Sequence, residues 1–115
     1  MKSYTDIEQS KRLAEILPPE SADNVIVSTG DREGVKTVVM PKETFDTIRT
    51  PFSDIRNNIP CWSLSALLRL IPNFNMFKRT IECKIETTNH LIDKACDPID
   101  AAFEMVCWLR ENNKI

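Results

Sequence analysis

Seven prolines punctuate this chain, at positions 18, 19, 41, 51, 60, 72 and 98, while only two glycines, Gly30 and Gly34, occur among its 115 residues. Proline has no amide proton to give to a helix or a strand ladder, and it biases its predecessor away from helical geometry. Glycine, the residue that loosens linkers, is scarce. The pattern predicts short, compact elements with abrupt ends and no long flexible connection. The length suits one domain, residues 1–115. A chain of this size buries roughly two thirds of its unfolded surface, enough to fold without a metal or a disulfide.

The segment before the first prolines, "TDIEQSKRLAEIL" (5–17), reads as a helix. Thr5 and Glu8 stand at capping-box spacing. Ile7, Leu13, Ala14 and Leu17 gather on one side at about 100° per residue. Glu8 and Arg12 are placed for an i,i+4 pair on the other side. Pro18 and Pro19 end the helix.

Two β-branched runs, 24–28 and 35–40, then flank a polar loop bounded by Gly30 and Gly34, which predicts a hairpin. Pro41 suits only an edge strand. Over 42–58, Phe45, Ile48, Phe52 and Ile55 recur with helical spacing, but Pro51 interrupts them. A short helix over 42–49 followed by a loop is expected.

"IPCWSLSALLRLIP" (59–72) poses a choice between chemistry and core. Ser63 is placed as an N-cap, with Trp62 and Leu67 at the spacing of a hydrophobic staple. Leu64, Leu67, Leu68, Leu70 and Ile71 cover one broad side, and Pro72 stops the helix. A catalytic Cys61 would need a histidine, another base or a helix N-terminus to lower its pKa, and the nearby helix N-terminus is the one point in its favour. The only histidine, His90, is 29 residues away and no orienting partner is evident. The stretch reads as the start of a core.

In "MFKRTIECKIE" (76–86), Ile81, Cys83 and Ile85 alternate with Thr80, Glu82, Lys84 and Glu86, as in a half-buried strand. "TTN" reads as a turn and "HLIDKA" as a returning strand with His90 at its start. In the last element, Asp97 is an N-cap and Pro98 takes the first helical position. Ile99, Ala102, Phe103, Val106 and Leu109 form the apolar side. Asp100, Glu104 and Glu111 form an acidic stripe, which reads as a solvated face, since a hard-cation site needs oxygens converging from several elements. Trp108 projects from the flank of the apolar side.

Cys61, Cys83, Cys96 and Cys107 contain no C-x-x-C pair, so a structural zinc site is not indicated. Reduced, core-like thiols are expected. Net charge is −2, and the basic and acidic residues are evenly mixed along the chain, which does not resemble a general nucleic-acid binder. Arg69, Lys78, Arg79 and Lys84 are the one candidate basic patch. The start, "MKSYTDIEQS", lacks the apolar core of a signal peptide, and no run approaches a membrane span, so a cytoplasmic location is expected.

Three segments, "EQSKRLAEILPPESAD", "IPCWSLSALLRLIP" and "PIDAAFEMVCWLREN", resemble small uncharacterised proteins encoded on prophages and integrative elements of gut anaerobic bacteria. The resemblance lies in Pro60, Trp62, Ser63, Leu64, Leu67 and Leu68, then Pro98, Asp100, Ala101, Glu104 and Met105, and spans under half the chain. It implies a mobile-element setting and no assigned activity.

The expected fold is α+β in the order α-β-β-(α)-α-β-β-α, with an antiparallel sheet built from two hairpins and helices packed on one side. No catalytic, metal or cofactor site is evident. The expected function is that of a non-enzymatic accessory or protein-interaction module. Its partner is expected to be a protein, with a second copy of the chain among the candidates, and neither a membrane nor a nucleic acid. The candidate interaction surface is Trp108 with Ala101, Glu104 and Glu111, because tryptophan is enriched at binding hot spots. The alternative is a small-ligand-binding protein or enzyme with a pocket between sheet and helices, using His90, Cys61 or the acidic stripe.

Overall fold

The computed structural model describes residues 2–31, 34–48, 55–78, 82–88, 90–95 and 97–115. Its first helix, α1 (Ile7–Ile16), is capped by Asp6 and not by Thr5. The Asp6 carboxylate accepts from the Gln9 amide at 2.8 Å, and the Gln9 side-chain oxygen accepts from the Asp6 amide at 3.1 Å. This is the expected reciprocal box moved one residue along, because a carboxylate at position 6 and a side-chain carbonyl at position 9 satisfy the same two amides. The buried stripe moves with it. Ser10, Leu13 and Leu17 are enclosed, whereas Ile7 is 42% exposed and Ala14 faces solvent. Arg12 lies 3.9 Å from Glu15. After Leu17 the two prolines lead into one 3-10 turn, Pro19–Ser21.

The chain is α+β, and its backbone contacts gather into two compact units, Asp6–Trp62 and Met1–Thr5 with Ser63–Ile115. The two expected hairpins do not share a sheet. Each unit has its own three-stranded antiparallel sheet, because each hairpin recruits a third strand.

In the first unit, β1 (Asn24–Asp31) lies between β2 (Gly34–Pro41) and β3 (Ile55–Cys61). Pro41 and Pro60 are both on outer strands, where a missing amide proton costs no ladder bond. Strand β3 replaces part of the loop expected up to residue 58. Its "IRNNIPC" has weak strand propensity, and pairing with β1 decides its state. The expected short helix is α2 (Lys42–Ile48); Pro51 and Phe52 lie outside the described residues. Phe45 of α2 packs on Val25 and Val27, with Met40 at the margin. Helix α1 packs against β3. Trp62 is fully buried, and its indole N–H donates to Ser21 Oγ at 3.0 Å, whose hydroxyl in turn donates to the Pro18 carbonyl at 2.7 Å. The polar end of the ring is thereby satisfied inside the unit.

In the second unit, Ser63 caps α3 (Leu64–Arg69), accepting from the Ala66 amide at 3.3 Å. Ala66, Leu67 and Ile71 are buried, while Leu64, Leu68 and Leu70 are half-buried, so the inner side is narrower than the leucine count implies. The sheet follows: β4 (Asn75–Lys78), β5 (Cys83–Glu86) and β6 (Leu91–Ala95), in that order. What reads in sequence as one strand over 76–86 is thus a pair of antiparallel strands; Thr80 and Ile81 lie outside the described residues. The expected turn before β6 is closed by Thr87, whose amide donates to the His90 carbonyl at 2.8 Å.

Helix α4 (Pro98–Glu111) starts as expected, with the Asp97 carboxylate accepting from the Asp100 amide at 3.0 Å. It ends in a Schellman motif: the Lys114 amide donates to the Leu109 carbonyl, the Asn113 amide donates to the Arg110 carbonyl, and Asn113 takes φ 56°. The helix packs against β5 and β6 on one side and α3 on another. Two neighbours widen its buried arc to Ile99, Ala101, Ala102, Met105, Val106 and Leu109, leaving Phe103 only half-buried. Burying each large aliphatic side chain contributes about 1.5–3 kcal/mol, so α4 is the main core element of this unit. The N-terminal residues join the same unit, with Lys2 Nζ 2.8 Å from Asp100 Oδ1 and Tyr4 bridged to Ser63.

Candidate functional site

Of the four residues expected to form an interaction surface on α4, the structure leaves two outward. Glu104 and Glu111 are exposed. Ala101 is 0% exposed, enclosed by the wider arc described above, and so belongs to the core and not to a surface. Trp108 is half-buried, with its ring stacked parallel on His90 at a centroid separation of 4.1 Å. The acidic stripe is also divided, since Asp100 pairs with Lys2. Among the described residues no group of three or more His, Cys, Asp or Glu comes together as a metal cluster.

The residues considered for chemistry fall into separate environments. Cys61 is fully buried in β3 of the first unit, and His90 belongs to the β5–β6 turn of the second. Among the described residues Cys61, Cys83 and Cys107 are in no disulfide; Cys96 lies outside the described residues. Burial pushes the Cys83 thiol pKa up, the nearby Asp97 carboxylate pushes it further, and Lys78 pulls the other way. Such a thiol is held protonated and unreactive.

Lys78 and Lys84 do not share a face of the sheet. Residues opposite one another across antiparallel strands point to the same side of a sheet. Lys78 pairs with Cys83, whereas Lys84 pairs with Phe77, which puts the two lysines on opposite sides. Arg69 is exposed on α3, and Arg79 lies outside the described residues. Among the described residues no helix is long and apolar enough to cross a membrane.

The same register defines an open face on the second sheet. Cys83 and Ile85 point inward, toward α4. Phe77 and Lys84 point outward, and so do Glu86 and Leu91. Phe77 is 52% exposed and Leu91 45% exposed, with the Lys84 ammonium 5.6 Å from the Phe77 ring centroid. Two large apolar side chains therefore flank a central strand carrying one charge of each sign.

The first unit holds a cleft of about 200 Å3 beside α2. Val25, Phe45 and Pro60 give it an apolar floor, and Asn24, Asn58 and Lys42 supply polar groups. Lys42 is fixed at both ends: its amide donates to the Asp23 carbonyl and its ammonium to the Pro19 carbonyl, each at 3.1 Å. A second hollow of about 430 Å3 adjoins it, sharing Ala22 and Lys42 and adding Asp23, Pro41 and Glu43. Nothing in the sequence marks these residues as sharing a cleft. The only hint is a lysine directly after a strand-ending proline, and no motif spacing links it to Asn58.

Compared with known proteins, the chain matches no protein-family model, no curated protein and no solved structure.

Proposed function

We propose that the chain is a cytoplasmic, non-enzymatic interaction module that associates with a second copy of itself through the open face of the β4-β5-β6 sheet. The carrying observation is that Phe77 and Leu91, each about half exposed, flank Lys84 and Glu86 on one uncovered face. Apolar side chains in that position gain by being covered. The charges argue for a like partner. A two-fold axis crossing β5 at Ile85 sets Lys84 of one copy against Glu86 of the other, twice, which is the self-complementarity an isologous contact requires. This face is better supported than the flank of α4, where Ala101 and Trp108 are both engaged within the chain. The mobile-element setting implied by the sequence resemblance suits a small adaptor of this kind.

Sedimentation over a range of concentrations tests the proposal. Lys84→Glu and Glu86→Lys should each weaken the dimer by roughly tenfold or more, because each sets like charges opposite one another. The double exchange should restore it. A protein that stays monomeric at every concentration, or a double exchange that fails to rescue, overturns the proposal.

A second reading, a small-ligand-binding protein with its pocket between sheet and helix, is favoured by the cleft beside α2. It predicts saturable binding of small molecules at Val25, Phe45 and Asn58.

A further inference from the structure

The cleft beside α2 combines three properties that together select a ligand. Its floor is apolar: Val25 and Pro60 are register partners on the face that α2 covers, and Phe45 packs on Val25 from above. Among its described lining residues the cationic group is Lys42, whose ammonium carries three donors and is oriented by the bond to the Pro19 carbonyl. Its volume is about 200 Å3. This is below the usual size for drug-like ligands. The amides of Asn24 and Asn58 add neutral hydrogen-bonding groups at the margin.

Resting on the ligand-binding reading, we infer that this cleft takes a small monocarboxylate with a short branched apolar body, its carboxylate on Lys42 and its body on Val25, Phe45 and Pro60. The charge limit comes from the adjoining hollow. Asp23 and Glu43 line that hollow next to Lys42, so a ligand with two or more negative charges, such as a phosphate ester, meets carboxylates as well as the ammonium. A single carboxylate is matched by the Lys42 ammonium. A charge-assisted hydrogen bond between ammonium and carboxylate is about twice as strong as a neutral one, so the acid should be preferred over uncharged molecules of the same shape.

The experiment is a chemical-shift titration of the whole chain with 3-methylbutanoate, its neutral amide and the corresponding amine. The acid should give saturable shifts at Val25, Phe45 and Asn58, with Kd on the order of 1 mM for so small a ligand. The amide should bind at the same residues about tenfold more weakly, and the amine more weakly still. Lys42→Met should bring the acid down to the level of the amide. The three-ligand comparison on the unaltered protein stands even if that variant folds poorly. Equal binding of acid, amide and amine overturns the carboxylate assignment while leaving a ligand cleft. Absence of saturable shifts with all three overturns the ligand-binding reading as well.

Discussion

The indole of Trp108 and the imidazole of His90 lie parallel, with ring centroids 4.1 Å apart. One residue is on α4, and the other precedes β6 in a turn that Thr87 closes through both its amide and its hydroxyl. The stack fastens the turn to the helix and occupies a face of the indole that a partner would otherwise meet. Aromatic pairs of this kind contribute about 0.5–1.5 kcal/mol beyond the area they bury.

His90→Ala should therefore destabilise the protein by about that amount in urea melts. It should also shift tryptophan emission to longer wavelength, since Trp108 gains water while Trp62 stays fully buried. Unchanged emission would mean that the rings do not stack in solution.

Leu67 and Leu68 are neighbours in the leucine run, yet only Leu67 is fully enclosed. Leu67→Ala should cost about 2–5 kcal/mol, the range for a cavity in a packed core. Leu68→Ala should cost clearly less. Equal losses in denaturant titration would place both side chains in the core.

Asp97 is the N-cap of the helix that organises the second unit. Asp97→Ala should cost about 0.5–2 kcal/mol, because the Asp100 amide loses its acceptor. Asp97→Asn keeps a capping oxygen and should lose much less. A similar loss in both variants would trace the effect to charge and not to the cap.

Cys83 makes stability depend on alkaline pH. Burial first, and then Asp97, raise its folded-state pKa, so the native chain holds the proton after the unfolded chain has released it. The contribution is complete below the ordinary thiol value of about 8.5 and is lost as pH rises through the raised folded value. Urea melts of the protein and of Cys83→Ala, from about pH 7 to about pH 10, should show the difference between them shrinking as pH increases. A constant difference would show that the thiol titrates alike in both states. In the native protein Cys61 and Cys83, 0% and 1% exposed, should also resist alkylation longer than half-buried Cys107.

Local signals were legible wherever a few adjacent residues carry the physics. Asp97 and Pro98 announce the start of α4, Ser63 announces α3, and the β-branched runs around Gly30 and Gly34 announce the first hairpin. Trp62 and Cys61 were legible as core because their neighbours offer no base. Capping was legible in kind but not in register, since Thr5 and Asp6 are both good caps and only the path of the chain chooses between them.

Tertiary structure decided the rest, for one reason: pairing and covering are settled by what approaches from elsewhere in the chain. The residues "IRNNIPC" become β3 because β1 has an edge to fill, and not through their own propensity. Ala101 is lost to the surface because α3 and the sheet both press on α4, which a helical wheel cannot register. Phe77 and Leu91 share an open face only through the register of β4 and β6 on β5. Lys42 and Asn58, sixteen residues apart, line one cleft only because β3 pairs beside β1 under α2. The amino-acid order determined which segments form helices and where the first hairpin turns; the partners each segment found determined where a ligand or a second copy can bind.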